Sequence, residues 1–242
     1  MLPNKIEKCP VIDTAVEIRF TSKLFSNAVF GMIYNEFQKD YNPQVEKLPI
    51  LQIPEQLREI DPNFKFKPHY KLKSDKFAVQ IGPEVIAISS SIPYVGWNDF
   101  SEHIFSFYER LFKLDVIFQV IRLGVRYVNF FESDIYSSIN LSLKIGESAH
   151  PCNNTLIRTE IVNEDFSNLI HIANNVTQEN NGTSRVGSII DIDTFRNYSD
   201  SLFMDDYKHQ VDLAHNSEKE LFFSLLNNDF LNSLIPIYDH SI

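Results

Sequence analysis

From Val11 to Phe20 the chain reads Val-Ile-Asp-Thr-Ala-Val-Glu-Ile-Arg-Phe, with β-branched residues separated by polar ones, and this predicts a strand. The period then changes. Val29, Phe30, Ile33 and Phe37 recur at helical spacing behind a capping Ser26, and Asn42-Pro43 ends that helix after Tyr41. Residues 43–62, punctuated by prolines, read as an irregular connection. A meander follows: alternation over Phe64–Leu72 and Phe77–Ile81, then Val85–Ser89 behind the Gly82-Pro83 turn. Asn98 or Asp99 caps a second helix to Leu114, with Phe100, Ile104, Phe107 and Leu111 on one side, and Phe118–Phe131 is a long strand.

Strands return at about 139–145, 155–163 and 168–178. Asn181-Gly182 marks a hairpin, because both central positions of a type I′ turn need positive φ, and Ser184–Phe195 completes it. A long helix over 200–227 carries the stripe Phe203, Tyr207, Val211, Ala214, Leu221, Phe222 and Leu225. Strands joined by hairpins with few helices predict an α+β fold. The sheet should be largely antiparallel or mixed, with helices packed on one face. A division at 132/133 gives a β-α-β-β-β-α-β half and a β-meander half ending in the long helix. The two are either related halves or one continuous domain.

Composition narrows the class. The 242 residues include 20 Phe and 10 Tyr but only 7 Gly, which favours a packed body over glycine-rich catalytic loops. Cys9 and Cys152 fit neither a disulfide framework nor a zinc spacing. The start of the chain has no signal-peptide pattern and no segment is long and apolar enough for a membrane span, so the expected setting is the cytoplasm. The net charge of −10 is uneven: residues 1–76 hold 12 Lys/Arg against 10 Asp/Glu, residues 77–242 hold 10 against 22. That imbalance disfavours nucleic-acid binding over the whole surface but leaves room for a local basic site.

One such site is Phe64-Lys65-Phe66-Lys67-Pro68-His69-Tyr70-Lys71-Leu72-Lys73. On a strand, Lys65, Lys67, His69, Lys71 and Lys73 share a face, either as a rail for an anion, nucleic acid or acidic partner, or as an edge guarded by Lys and Pro. Arg122 and Arg126 flank Gly124 on one strand face, where they would clamp a carboxylate or phosphate, or pair with internal carboxylates. Asp191 and Asp193 project from one strand face about 7 Å apart at ~3.3 Å per residue, a spacing a hard cation can bridge. Alternation of Ile and Asp is equally the pattern of a half-buried strand. Asp205, His209 and Asp212 have metal-ligand spacing but fall on the solvent side of the last helix. His150-Pro151-Cys152 lacks a cysteine-hydrolase signature and reads as a turn. Trp97, beside Tyr94, is either a partner anchor or a staple at the helix entry. No catalytic residue, resident metal or cofactor is expected.

Several stretches carry a resemblance: Cys9-Pro10-Val11-Ile12-Asp13-Thr14, Val79-Gln80-Ile81-Gly82-Pro83, Tyr94-Val95-Gly96-Trp97-Asn98-Asp99-Phe100, Arg122-Leu123-Gly124-Val125-Arg126-Tyr127-Val128-Asn129, and Leu213-Ala214-His215 leading to Lys219-Glu220-Leu221-Phe222-Phe223. Together they resemble a sporadically distributed family of uncharacterised bacterial proteins. Asp13-Thr14 stands where that family has Glu-Ala. The resemblance implies an accessory gene, of the kind that serves defence or toxin neutralisation. The expected function is a non-catalytic interaction protein that meets another protein or a second copy of itself. A binding module for an anionic ligand or nucleic acid is the alternative, and a metal-dependent phosphoryl-transfer enzyme on Asp191 and Asp193 the weakest.

Overall fold

The computed structural model describes residues 2–149, 154–163, 165–180 and 182–238. Strands β1 (Lys5–Ile6) and β2 (Val11–Thr21) precede helix α1 (Ser26–Phe37). Strand β3 (Glu46–Lys47), a 3-10 turn at Pro49–Gln52 and α2 (Glu55–Ile60) lead into β4 (Tyr70–Lys73), β5 (Phe77–Ile81) and β6 (Val85–Ser90). Helix α3 (Trp97–Lys113) and the long β7 (Gln119–Phe131) follow. Then come β8 (Lys144–Ile145), β9 (Ser148–Ala149), β10 (Leu156–Val162), β11 (Ser167–Asn180) and β12 (Thr183–Asn197). The chain closes with α4 (Leu202–Asp205), α5 (Tyr207–Leu225), α6 (Asn228–Ser233) and β13 (Pro236–Ile237).

The fold is α+β, a large antiparallel sheet with several helices packed alongside, as the hairpin-rich pattern predicts. Hydrogen-bonded neighbours run β10-β11-β12-β7-β2-β6-β5-β4-β3, with β1-β13 and β8-β9 as separate pairs. The chain forms two compact units. One comprises the residues up to Asp13, Arg126–Thr194 and the chain from Ala214 onward; the other comprises Thr14–Val125 and Phe195–Leu213.

In the Thr14–Val125 unit, one sheet face supplies Val16, Ile18, Phe20, Leu72, Val79 and Ile88, all fully buried. The period-3.6 stripes of α1 (Val29, Ile33, Phe37) and α3 (Phe100, Ile104, Phe107, Leu111) are buried with them, and the Phe37 and Phe107 rings stack 4.0 Å apart. Tyr108, Phe112, Phe203 and Tyr207 form an aromatic cluster that ties α3 to α4 and the start of α5. In the other unit, Ile170 and Ile172 of β11 and Ile190 and Ile192 of β12 pack with Phe222 and Leu226 at the end of α5. The β1-β13 pair, Lys5 opposite Ile237, brings the two ends of that unit together.

Several expectations change: the connection over 43–62 holds β3, a 3-10 turn and α2, and α1 and α3 begin behind Phe25 and Gly96 with no side-chain cap from Ser26, Asn98 or Asp99. The strand expected over Phe64–Leu72 shrinks to β4, because its partner β5 ends at Ile81, where Gly82-Pro83 turns away; the His69 amide reaching the Ile81 carbonyl is the last rung. Residues 62–66 are turn, and Lys67-Pro68 lies against Gly82, where a Cβ would stand 2.6 Å from the Lys67 carbonyl oxygen. Of the strand expected over 139–145 only β8 forms. Ile139 bridges to Leu226, and the Asn140 side chain donates to the Ser224 and Leu226 carbonyls at the end of α5. The helix expected over 200–227 is two helices, parted at Asp206, whose φ of −141° and ψ of 41° are not helical. The hairpin turn between β11 and β12 keeps Gly182 at φ +80°; Asn181 lies outside the described residues, as do His150, Pro151 and Cys152.

Candidate functional site

Arg126, on β7, reaches across to β12, where its Nε and Nη2 each lie 2.8 Å from a different oxygen of Asp191. Asp191 is buried, and the paired geometry is the strong, directional form of an Arg–carboxylate contact. Hydrogen bonding to Asp191 raises the guanidinium pKa against the opposing effect of desolvation, and the negative charges of Asp13 and Asp193 add to the rise more weakly. His171 of β11 places Nδ1 3.6 Å from the same carboxylate, and Arg158 of β10 donates to His171 Nε2 at 2.9 Å. A polar row therefore crosses four strands on the face opposite Ile170, Ile172, Ile190 and Ile192. Asp191 already has Arg126 and His171 beside it, and among the described residues no three His, Cys, Asp or Glu side chains gather as a metal site.

Arg122 lies in the other unit. Its Nη1 is 3.1 Å from Glu17 Oε1 on β2, and its guanidinium covers the Phe195 ring at 4.5 Å. Glu17 also accepts from Arg19 at 2.8 Å. Each arginine of the Arg-x-Gly-x-Arg strand is thus paired with a carboxylate on a neighbouring strand, and the intervening Gly124 is buried.

The five basic positions at 65–73 do not form one rail. Only Lys71 and Lys73 lie on β4, alternating with Tyr70 and the buried Leu72. Lys73 pairs with Glu46 of β3 at 2.6 Å, and Lys65, in the turn, lies 3.5 Å from Glu84. Lys65 and His69 instead line a pocket of about 360 Å³ with Ser26 and Asn27 of α1, Glu55, Arg58, Glu59 and Ile60 of α2, and Glu84. Lys67 borders an adjoining, more apolar hollow of about 420 Å³ floored by Leu48, Ile50, Ile53 and Pro68, with Phe64 shared between the two.

The first pocket is electrostatically mixed. Arg58 donates through Nε to the Ile53 carbonyl at 3.0 Å, which pins the irregular connection, and its Nη1 lies 3.3 Å from His69 Nε2. Desolvation first, and the Arg58 charge second, hold His69 down to about 4, so it is a neutral imidazole at pH 7. One exposed apolar residue lines this pocket and two others are close in sequence to its lining. Phe25, just before Ser26, is 90% exposed; Ile60, in the wall, is 78% exposed, and Leu57 lies one turn earlier on α2. These residues are not visible as a group in the sequence, because α2 falls inside a stretch that reads as irregular. A short Glu-Gln-Leu-Arg-Glu-Ile helix behind Pro54 is the signal that would have found it.

Other titratable side chains are buried in structural settings. His103 of α3 stacks on Phe77 at 3.9 Å and meets the Tyr41 hydroxyl at 3.1 Å; burial lowers it to about 4. Asp205 is on α4, apart from His209 and Asp212 on α5. The Trp97 indole hydrogen-bonds to Asp212, and Trp97 packs edge-on against Phe100 at 6.2 Å, which fits the staple rather than an exposed anchor. On α5, burial lowers His215 to about 3 and raises Glu218 to about 8. Glu218 follows Val211 by seven residues and Ala214 by four, so the helical stripe itself marks it as buried.

No family model and no curated protein matches the chain. Among the described residues no helix is long and apolar enough to cross a membrane.

Proposed function

We propose that this chain is a non-catalytic interaction protein that docks another protein on the surface formed by the start of α1, α2 and the turn at 62–66. The observation that supports this reading is the exposed Ile60 in the wall of a pocket that holds both cationic and anionic groups, with the exposed Phe25 and Leu57 in the segments that supply its lining. Large apolar residues rimmed by charge are the usual make-up of a docking surface: the apolar anchors supply affinity and the charges supply register. Arg122, Arg126 and Asp191 are committed to ion pairs within the fold, which draws the anion-clamp and metal readings away from them. The accessory role in a bacterial defence or toxin-neutralising system, suggested by the family resemblance, belongs to the same proposal.

The test compares wild type with Ile60→Asp and Phe25→Asp in affinity capture from the native host. Both positions are exposed, so folding stability should change by no more than about 0.5 kcal/mol. A specific partner retained by wild type and lost by both variants supports the reading; a partner retained by both variants defeats it. Capture of nucleic acid with a steep salt dependence would favour the anionic-ligand alternative instead.

A further inference from the structure

Strand β10 is the last strand of the sheet order and pairs only with β11 among the described residues. It runs Leu156-Ile157-Arg158-Thr159-Glu160-Ile161-Val162, without proline, glycine or lysine, and Leu156 and Val162 are each 71% exposed. Long edges pair with other strands, and natural edges are commonly shortened, bulged or charged to prevent it; β10 is seven residues long and its two charges, Arg158 and Glu160, are of opposite sign. The edge strand β3, by contrast, is two residues long.

The hydrogen-bond alternation fixes which groups are available. Asn174 donates to the Thr155 carbonyl at 3.3 Å, and Asn163 donates to the Phe166 carbonyl at 3.0 Å, so the rungs facing β11 fall on odd-numbered residues. The amides and carbonyls of Leu156, Arg158, Glu160 and Val162 therefore point away from β11. The side chains divide as well. Ile157, Thr159 and Ile161 stand opposite Ile172, Ile170 and Asn168 on the buried side of the sheet, while Leu156, Arg158, Glu160 and Val162 share the face of His171 and Asp191.

We propose that β10 is a self-association edge, and that a second copy of this chain adds its own β10 antiparallel about a two-fold axis at Thr159. In that register Leu156 lies opposite Val162 of the second copy, Ile157 opposite Ile161, Arg158 opposite Glu160, and Thr159 opposite Thr159. Every apolar side chain meets an apolar one and each charge meets its opposite. The outward backbone groups of the even-numbered residues fall at the hydrogen-bonded positions of this antiparallel pair, each pair exchanging two bonds. The charges also select the register. A slip by two residues sets Arg158 against Arg158 or Glu160 against Glu160, and like charges directly opposite are destabilising. This interface uses a different element from the docking surface proposed above and stands or falls without it.

Sedimentation of the full chain tests the proposal by charge reversal. Wild type should run at twice the chain mass, Arg158→Glu should shift to the monomer with an unchanged circular-dichroism spectrum, and the double variant Arg158→Glu/Glu160→Arg should return to the dimer. Glu160→Arg alone supplies the same like-charge clash should Arg158→Glu fail to fold. Register is read separately in a chain with Cys9 and Cys152 replaced by Ser. Thr159→Cys should cross-link to a second copy under mild oxidation, because facing non-hydrogen-bonded Cα atoms are about 4.5 Å apart, and Ile161→Cys should not. A wild-type chain that stays monomeric at high micromolar concentration, a dimer indifferent to either single reversal, or a double reversal that remains monomeric would overturn it.

Discussion

The Arg126 guanidinium grips both oxygens of Asp191 at 2.8 Å, joining β7 to β12 through side chains as well as backbone. Asp191 is almost wholly buried whereas Arg126 is about half exposed, so the two partners are not equivalent. Removing Arg126 leaves a buried carboxylate with the His171 ring at 3.6 Å; replacing both removes the charge along with its partner. Arg126→Ala should therefore destabilise the protein by roughly 1–3 kcal/mol, discounted for the solvent-exposed arginine. Arg126→Ala/Asp191→Asn should cost less than the sum of the single changes. Urea titration of the four members of the cycle measures the coupling; additive costs would show that the contact is energetically idle.

Glu218 should weaken the fold as pH rises toward 8. Its carboxyl is raised by burial from 4.5 to about 8 in the folded protein, so the folded state holds its proton over a range where the unfolded chain has released it. Its contribution is fully present below pH 4.5 and is lost as pH rises through about 8. The loss is on the order of 4 kcal/mol over the whole window, roughly 2 of it between pH 6.5 and 8. Burial lowers His69 and His103 to about 4 and His215 to about 3, and these act in the opposite sense, with stability falling as pH drops below 6.5. A plot of unfolding free energy against pH should be a dome, and Glu218→Gln should flatten its alkaline limb while leaving the acid limb in place. A limb unchanged by the substitution would assign the effect elsewhere.

Gly187, on β12, sits where no side chain fits. A Cβ there would meet the Phe131 carbonyl oxygen of β7 and come within 2.8 Å of Phe130 Cζ. Because the first obstacle is backbone held in the sheet, the neighbour cannot rotate aside. Gly187→Ala should cost about 1–3 kcal/mol by overpacking, while Gly31→Ala on α1, with nothing within 4 Å of its Cβ, should be neutral or stabilising. Thermal melts of the two variants give opposite signs if this steric account is right.

Much of the framework is legible in the sequence where period and punctuation agree. Phe77–Ile81 forms as expected, closed by Gly82-Pro83, and α3 carries the anticipated stripe of Phe100, Ile104, Phe107 and Leu111. Local pattern misleads where a partner decides the outcome. Phe64–Leu72 alternates as a strand should, yet the first half has no strand to pair with once β5 ends. Ile139–Leu141 is apolar enough for a strand but is drawn to the end of α5 by the Asn140 side chain. For the candidate site, Lys65 and His69 were recognisable as chemistry-bearing residues but not as neighbours of Arg58 and Ser26, since their meeting depends on how the irregular connection folds back. Glu218 was legible in principle from its place on the helical stripe, and was masked by the polar run around it.

The pairing of Lys5 with Ile237 has a consequence for how the chain is made. Residues 14–125, the larger part of one unit, emerge from a ribosome together and can begin to pack as they appear, although Phe195–Leu213 must follow to complete it. The other unit must wait, because its first strand finds its mate only after Pro236 and Ile237 have been added. Until then the unpaired flank of β1 and the apolar faces of β11 and β12 are open to wrong neighbours. Long-range closure of this kind is slow. The vulnerable period therefore lasts until Pro236 and Ile237 have been made, and a chaperone's help would be felt most before then.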